Sequence, residues 1–232
     1  MSTSLNYYLI CGPYRSGSTI LSEMLNQHSQ IVCTNELNYF SLNYKHMNTK
    51  LTLVDSPLNV SVPPICITSE DNKQYMINYW RQENTLCYCD KYPVYVFRLE
   101  DIIKLYPNIK IIFLVRKPED VLMSQVISYY NYYRQGTEDD HYWARSSIQE
   151  VINVSICWAD FVSKWIKTEK NFDYIEIKYE TLLDNISVIS DFLCVNNKEL
   201  DNIITNTFKP IYHNASIDLP EEWQQLKLQI GY

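Results

Sequence analysis

No run of apolar residues in this 232-residue chain approaches the roughly 18 needed to cross a bilayer, so no membrane span is expected. The N-terminal stretch MSTSLNYYLI has no basic segment followed by an apolar core. No secretory leader is therefore expected. Basic excess is missing too: 20 Lys and Arg against 27 Asp and Glu leave a net charge of −7. That balance excludes a broad nucleic-acid or anionic-membrane surface, leaving room only for a local basic cleft. Metal-ligand spacing is also lacking. Of seven cysteines, only Cys87 and Cys89 lie close together, and neither they nor the four histidines have zinc-type spacing. A metal-free cytoplasmic protein with reduced thiols is expected, with Cys11 and Cys157 acting as small hydrophobes. Four N-x-S/T sites, at Asn59, Asn153, Asn185 and Asn214, carry no weight without a leader. No internal repeat or low-complexity segment breaks the chain.

What is present concentrates in Tyr7 to Asn26, YYLICGPYRSGSTILSEMLN. Tyr7 to Cys11 has strand character. Gly12-Pro13-Tyr14-Arg15-Ser16-Gly17 forms a loop, and Ile20, Leu21, Met24 and Leu25 mark one face of a helix. Strand, glycine-bounded loop and helix place backbone N–H groups and a helix N-terminus around an anion. The spacing Gly12-x4-Gly17-x-Thr19 matches a phosphate loop except that Ser18 stands where an NTPase has its lysine. The cation lies within the loop instead, at Arg15, which points to a shorter phosphate chain and no obligatory metal.

Further along, Gln30 to Thr34 reads as a strand and Asn35 to Phe40 as a loop at its carboxyl end, the edge where open α/β sheets bind ligands. Residues 41–89 read as an irregular insertion or lid, helical only over Lys73 to Glu83. A helix is expected from Phe97 to Leu105. Ile109 to Val115 (IKIIFLV) is the strongest strand, apolar but for Lys110 as for burial on both faces. Pro118 then suits the first turn of a helix reaching Arg134. A long helix over Ser146 to Thr168, a strand over Phe172 to Ile177, a helical turn at Tyr179 to Leu183 and helices near 187–194 and 198–207 complete the reading. The tail after Pro210 gives no clear pattern. The alternation predicts one α/β domain over 1–232, a P-loop-like three-layer fold with a central parallel sheet flanked by helices.

Four separated motifs now resemble the sulfotransferase family, which uses 3′-phosphoadenosine-5′-phosphosulfate (PAPS). PYRSGSTIL is similar to its 5′-phosphosulfate loop, with Tyr14 where proline is usual. Asn35-Glu36-Leu37-Asn38-Tyr39-Phe40 is similar to the N-E-x-x-F-F stretch of the heparan-sulfate-type branch. Asp90-Lys91-Tyr92-Pro93 is similar to that branch's K-x-P. LVRKPEDVLMS is similar to the 3′-phosphate motif, with Arg116 ending a strand and Ser124 eight residues on.

The resemblance implies that Arg15, Ser16, Gly17, Ser18 and Thr19 hold the 5′-phosphate end. It makes Arg15 and Lys91 the cations that stabilise the leaving oxygen, and Glu36 the base that takes the acceptor's proton. Arg116 and Ser124 would hold the 3′-phosphate, and Tyr179, in a Y-E-[DT]-L-like segment, would lie near adenine. The late arginine-lysine-glycine loop of cytosolic members has no match after Lys209, and Lys209 and His213 stand in its place. The expected reaction moves a sulfuryl group from PAPS to a hydroxyl or amine of a small-molecule or carbohydrate acceptor. Tyr39, Phe40 and Tyr44 would help shape the acceptor site. The sequence says nothing of oligomeric state. Two rivals are a P-loop nucleotide kinase or NTPase, and a non-catalytic nucleotide binder. Against the first stands Arg116, where a metal-binding acid would be expected at the end of the strongest strand.

Overall fold

The computed structural model describes residues 6–36, 85–134, 144–154, 156–213 and 215–232. Five strands, β1 (Asn6–Cys11), β2 (Ile31–Asn35), β3 (Cys87–Lys91), β4 (Lys110–Val115) and β5 (Tyr174–Lys178), form one sheet in the order β2-β3-β1-β4-β5. Every neighbouring pair is parallel. The chain thus turns back across β1, so the loop after β1 emerges at the crevice between the two halves of the sheet.

Side-chain alternation makes the three layers. In β1, Leu9 and Cys11 enter one core while Tyr8 and Ile10 enter the other. In β4, Ile111, Phe113 and Val115 face the first and Ile112 and Leu114 the second. The first core is roofed by α2 (Leu99–Leu105), α3 (Pro118–Arg134), α4 (Ile148–Ile152), α5 (Trp158–Lys167) and α8 (Glu221–Gln229). Its centre is Trp165, stacked on Phe113 with centroids 4.3 Å apart. The second core is roofed by α1 (Ser18–Leu25), α6 (Ile186–Leu193) and α7 (Asn197–Thr207). The expected three-layer α/β fold with a central parallel sheet is what forms.

Several elements differ from the sequence expectation. Cys87 to Cys89, assigned to an insertion ending at 89, belong to β3, and all of β3 is buried. That strand was hidden because CYCDK ends in an acid and a base, residues depleted from strands. Residues 41–84 of the insertion, including the expected helix over Lys73 to Glu83, lie outside the described residues. The single helix expected over Ser146 to Thr168 is two helices. Asn153 ends α4, and Cys157 in extended backbone restarts the chain as the N-cap of α5. The Asp160 carboxylate accepts from Cys157 N at 2.7 Å and from its Sγ at 3.0 Å, folding back onto the N-cap residue and fixing the break. The thiol thus donates to Asp160, and burial chiefly pushes it up to about 11. The tail after Pro210 contains α8, anchored by Trp223 against Trp158.

Gly12 is where β1 meets the loop, and it passes against β4. A Cβ there would sit 2.0 Å from the Leu114 carbonyl oxygen, and its φ of 144° suits only glycine. Gly12→Ala is expected to cost more than about 3 kcal/mol in urea denaturation or to prevent folding. Gly231→Ala, which meets only the mobile end of Lys178 at 3.0 Å, should cost about 1 kcal/mol. Equal losses in the two variants would contradict the close approach of β1 and β4.

Candidate active site

The loop after β1 is built to leave helix donors bare. Gly17 takes a left-handed conformation at φ 93° and serves as the N-cap of α1, and no side chain among the described residues caps that helix. By contrast α4 and α7 are capped by the Ser147 and Asn196 side chains. The first turn of α1 also carries no acid, so its partial positive charge is uncompensated within the helix. Arg15 is itself left-handed, at φ 65°, a strained setting for a non-glycine residue. Ser16 is fully buried, and its Oγ meets no hydrogen-bond partner among the described residues. Ser18, the first residue of α1, is buried, while Thr19 is exposed.

Two groups of side chains gather at this sheet edge. The first surrounds Arg116, at the end of β4. Its guanidinium lies over the Tyr179 ring with Cζ 4.4 Å from the centroid, a cation–π contact. Nη1 donates to the Arg15 carbonyl at 3.4 Å and Nη2 to the Ile211 carbonyl. Nε is buried without a partner among the described residues. Arg15 Nε donates to Ser124 Oγ at 3.0 Å, so Arg15, Arg116, Ser124 and Tyr179 form one cluster. Burial pulls the Arg15 guanidinium below its ordinary value; Tyr132 opposes that shift and Arg116 adds to it. Two guanidinium groups brought to one sheet edge favour an anion beside them. Tyr179 also closes against the loop: a Cβ on Gly17 would lie 2.5 Å from its ring.

The second group is a pair. Lys91 ends β3 and is 2% exposed, and its Nζ donates to Glu36 Oε1 at 2.5 Å. Glu36 follows β2 in a left-handed conformation at φ 54°, and its N–H donates to the Lys91 carbonyl at 2.6 Å. Its side chain is 51% exposed, so the pair is open to water on the carboxylate side. Asn35 just before it accepts from Ser22 of α1 at 2.7 Å, tying β2 to the helix behind the loop. Among the described side chains Arg15 contacts Ser124, while Lys91 contacts Glu36; the two expected transition-state cations thus belong to different groups. Leu37 to Phe40 and Tyr44 lie outside the described residues.

Several residues went unnoticed in the sequence. Asp120, one helical turn after Arg116, has Oδ2 3.9 Å from Arg116 Nη2, and its Oδ1 accepts from His213 N at 2.8 Å. The i, i+4 spacing of Arg116 and Asp120 was the available signal. Tyr179 Oη accepts from Ile211 N at 3.1 Å. Ile211 to His213 therefore cross the Arg116 cluster where a late basic loop was missing. Asp90 is an acid at the end of β3, beside β1, so this edge carries a strand-end carboxylate although the strand Lys110–Val115 leads into Arg116. Both its oxygens accept hydroxyls: Oδ1 from Thr34 at 2.7 Å and Oδ2 from Tyr95.

A family model described as the sulfotransferase family matches residues 8–187 of the chain. The fold and the loop define a P-loop-like α/β protein, and within that class the chain belongs to the sulfotransferase family. Three solved structures share the fold. The sulfotransferase domain from the curacin biosynthetic pathway is 19% identical, with a TM-score of 0.58 over 100% of this chain and 99% of that one. A sulfotransferase from Alicyclobacillus acidocaldarius is 18% identical, with a TM-score of 0.54 over 98% and 91%. A mouse sulfotransferase complexed with PAP is 18% identical, with a TM-score of 0.50 over 88% and 65%. A sequence search finds no match among curated proteins. Among the described residues no helix is long and apolar enough to cross a membrane, and no cluster of His, Cys, Asp and Glu is arranged to hold a metal.

His213 gives this edge a pH signature. Burial holds its imidazole below the ordinary value, with Arg116 and Arg15 pushing the same way and Asp120 opposing. A histidine kept neutral by the fold takes up its proton more readily in the unfolded chain, at about 6.5. Its stabilisation is therefore full above about pH 6.5 and is lost as pH falls below that value. Melting temperatures between pH 7.5 and 5.5 should fall less steeply in His213→Gln than in the wild type. Identical slopes would contradict the assignment.

Proposed function

We propose that the protein transfers a sulfuryl group from PAPS to a hydroxyl or amine of a small-molecule or carbohydrate acceptor, with Glu36 as general base. The observation that carries this reading is the Lys91–Glu36 pair: a buried ammonium held against a half-exposed carboxylate on the strand ends flanking the phosphate loop. A base open to an entering acceptor, beside a cation sheltered from water, suits a reaction that deprotonates one oxygen while charge grows on another.

The donor set fits the co-substrate. The bare first turn of α1, with Ser16, Gly17, Ser18 and Thr19, would take the 5′-phosphate end. Arg116 and Ser124 would take the 3′-phosphate, and the unpaired Arg116 Nε supports that role. Arg116 Nη2 is satisfied by the Ile211 carbonyl, a neutral acceptor that a phosphate oxygen would replace with a stronger, charge-assisted bond. Tyr179, between Gly17 and Arg116, would adjoin the adenine. Arg15 sits between the two phosphate positions, and turning from Ser124 would bring it to the bridging oxygen. No metal is required, since cations and helix dipole supply the positive charge.

In the reaction the acceptor oxygen forms a bond to sulfur as the bond from sulfur to the bridging oxygen breaks. The electron pair stays on the departing phosphate. Glu36 takes the acceptor proton; Lys91 and Arg15 offset the charge on the leaving oxygen. The kinase reading is disfavoured because Ser18 replaces the loop lysine and hydroxyl donors engage both Asp90 oxygens. Cysteine chemistry is disfavoured as well. Burial raises Cys11 and, above all other causes, Cys87, the latter to about 12, so neither supplies a thiolate at neutral pH.

A panel of alcohols, phenols, sugars and amines offered with labelled PAPS tests the activity. Glu36→Gln should lower kcat on the best acceptor by about 10²–10⁴-fold while the affinity for adenosine 3′,5′-bisphosphate stays within about twofold. An unchanged kcat would remove Glu36 from the role of base.

A further inference from the structure

Asp90 has no part in the chemistry above, yet it is buried one residue before Lys91. Successive residues of a strand face opposite sides of the sheet, so its carboxylate points away from the Lys91 ammonium. It is directed to where Tyr95 lies in the first core. There it receives two hydroxyls from two other elements. Thr34 of β2 donates to Oδ1 at 2.7 Å, and Tyr95, in the 3₁₀ turn Pro93–Arg98 that follows β3, donates to Oδ2. Thr34 Oγ1 also lies 3.2 Å from the Cys89 carbonyl, strapping β2 to β3. The parallel register places Thr34 beside Asp90 and Asn35 beside Lys91, so the linked residues sit one step before the ends that carry Glu36 and Lys91.

We propose that Asp90 is a positioning residue for the Glu36–Lys91 pair, its carboxylate bracing β2 and the 3₁₀ turn against β3 so that base and cation stay in register. This rests on the sulfotransferase reading for its catalytic consequence, though not for the brace itself. Three features support it. Glu36 occupies a left-handed conformation, which persists only where the surroundings impose it. The hydrogen bond that its backbone N–H donates to the Lys91 carbonyl, at 2.6 Å, needs the β2 and β3 ends to stay matched beyond the last paired residues. A carboxylate also suits the two donors best: each oxygen accepts an O–H, whereas an asparagine NH₂ would force one of the two hydroxyls to turn from donor to acceptor. A buried carboxylate with hydroxyl donors on both oxygens is costly to disturb and therefore rigid.

The test is amide hydrogen exchange resolved at single residues on the full chain, together with turnover. In Asp90→Asn the Glu36 amide should exchange at least tenfold faster, while Leu9 and Ile10 at the sheet centre keep their protection. Thr34→Val should reproduce part of that rise and Thr34→Ser, which keeps the hydroxyl, should not. These Thr34 variants carry the test if Asp90→Asn fails to fold. On the acceptor found with labelled PAPS, kcat of Asp90→Asn should fall about 10–100-fold with the affinity for adenosine 3′,5′-bisphosphate unchanged. Unchanged Glu36 exchange, or a rise shared by the whole sheet, would overturn the brace. So would wild-type kcat in a variant whose Glu36 amide has been freed. If the wild type transfers sulfuryl to nothing while the exchange pattern holds, the functional reading fails and the brace survives.

Discussion

A lysine ammonium shut from water at the end of a parallel strand has to be met by a counter-charge, because an unpaired charge in that setting is among the most costly features a fold can carry. Here the constraint falls on Lys91, and Glu36 answers it. Much of the local architecture follows from that need. β2 must end level with β3, its last residue must be held by Ser22 of α1, and Glu36 must turn left-handed to bring its carboxylate back over the strand ends. The pair does little for stability, since half of Glu36 is open to solvent and screened by it. What it fixes is position.

The same sheet edge presents a second demand, for an anion. Arg116 is buried with its Nε unpaired among the described residues, and its other contacts are two backbone carbonyls, an aromatic face and a carboxylate 3.9 Å away. The α1 N-terminus, uncapped by any described side chain, and the buried Ser16 hydroxyl, without a partner among the described residues, lie on the β1 side. The ends of β3, β1 and β4 thus bring Lys91, Arg15 and Arg116 to one sheet edge, with the Glu36 carboxylate against Lys91.

The sheet and its layers were legible because β1 and β4 are apolar on both faces and α1, α3, α6 and α7 carry clean helical spacing. β3 was not, since a strand ending in Asp90-Lys91 disguises its burial as polarity; functional charge had replaced the usual strand signal. The break before α5 was invisible because it depends on one carboxylate, Asp160, folding back onto Cys157. The candidate site residues stand out in the sequence as motifs, but their partnerships do not. Nothing in the spacing announces that Arg15 meets Ser124, that Asp120 holds His213, or that Ile211 crosses Arg116. Those links join residues about a hundred positions apart; the first arises when β1 and β4 lie side by side, the other two when residues 211–213 cross the end of β4.

The most direct test of the central claim is a thermal-shift titration with adenosine 3′,5′-bisphosphate, run beside ATP with Mg²⁺. At about 100 times its dissociation constant a ligand stabilises the fold by about 2.7 kcal/mol, equivalent to roughly 5–10 °C in a domain of this size. The account requires that rise with the bisphosphate and its loss in Arg116→Ala. A rise with Mg-ATP alone would contradict it.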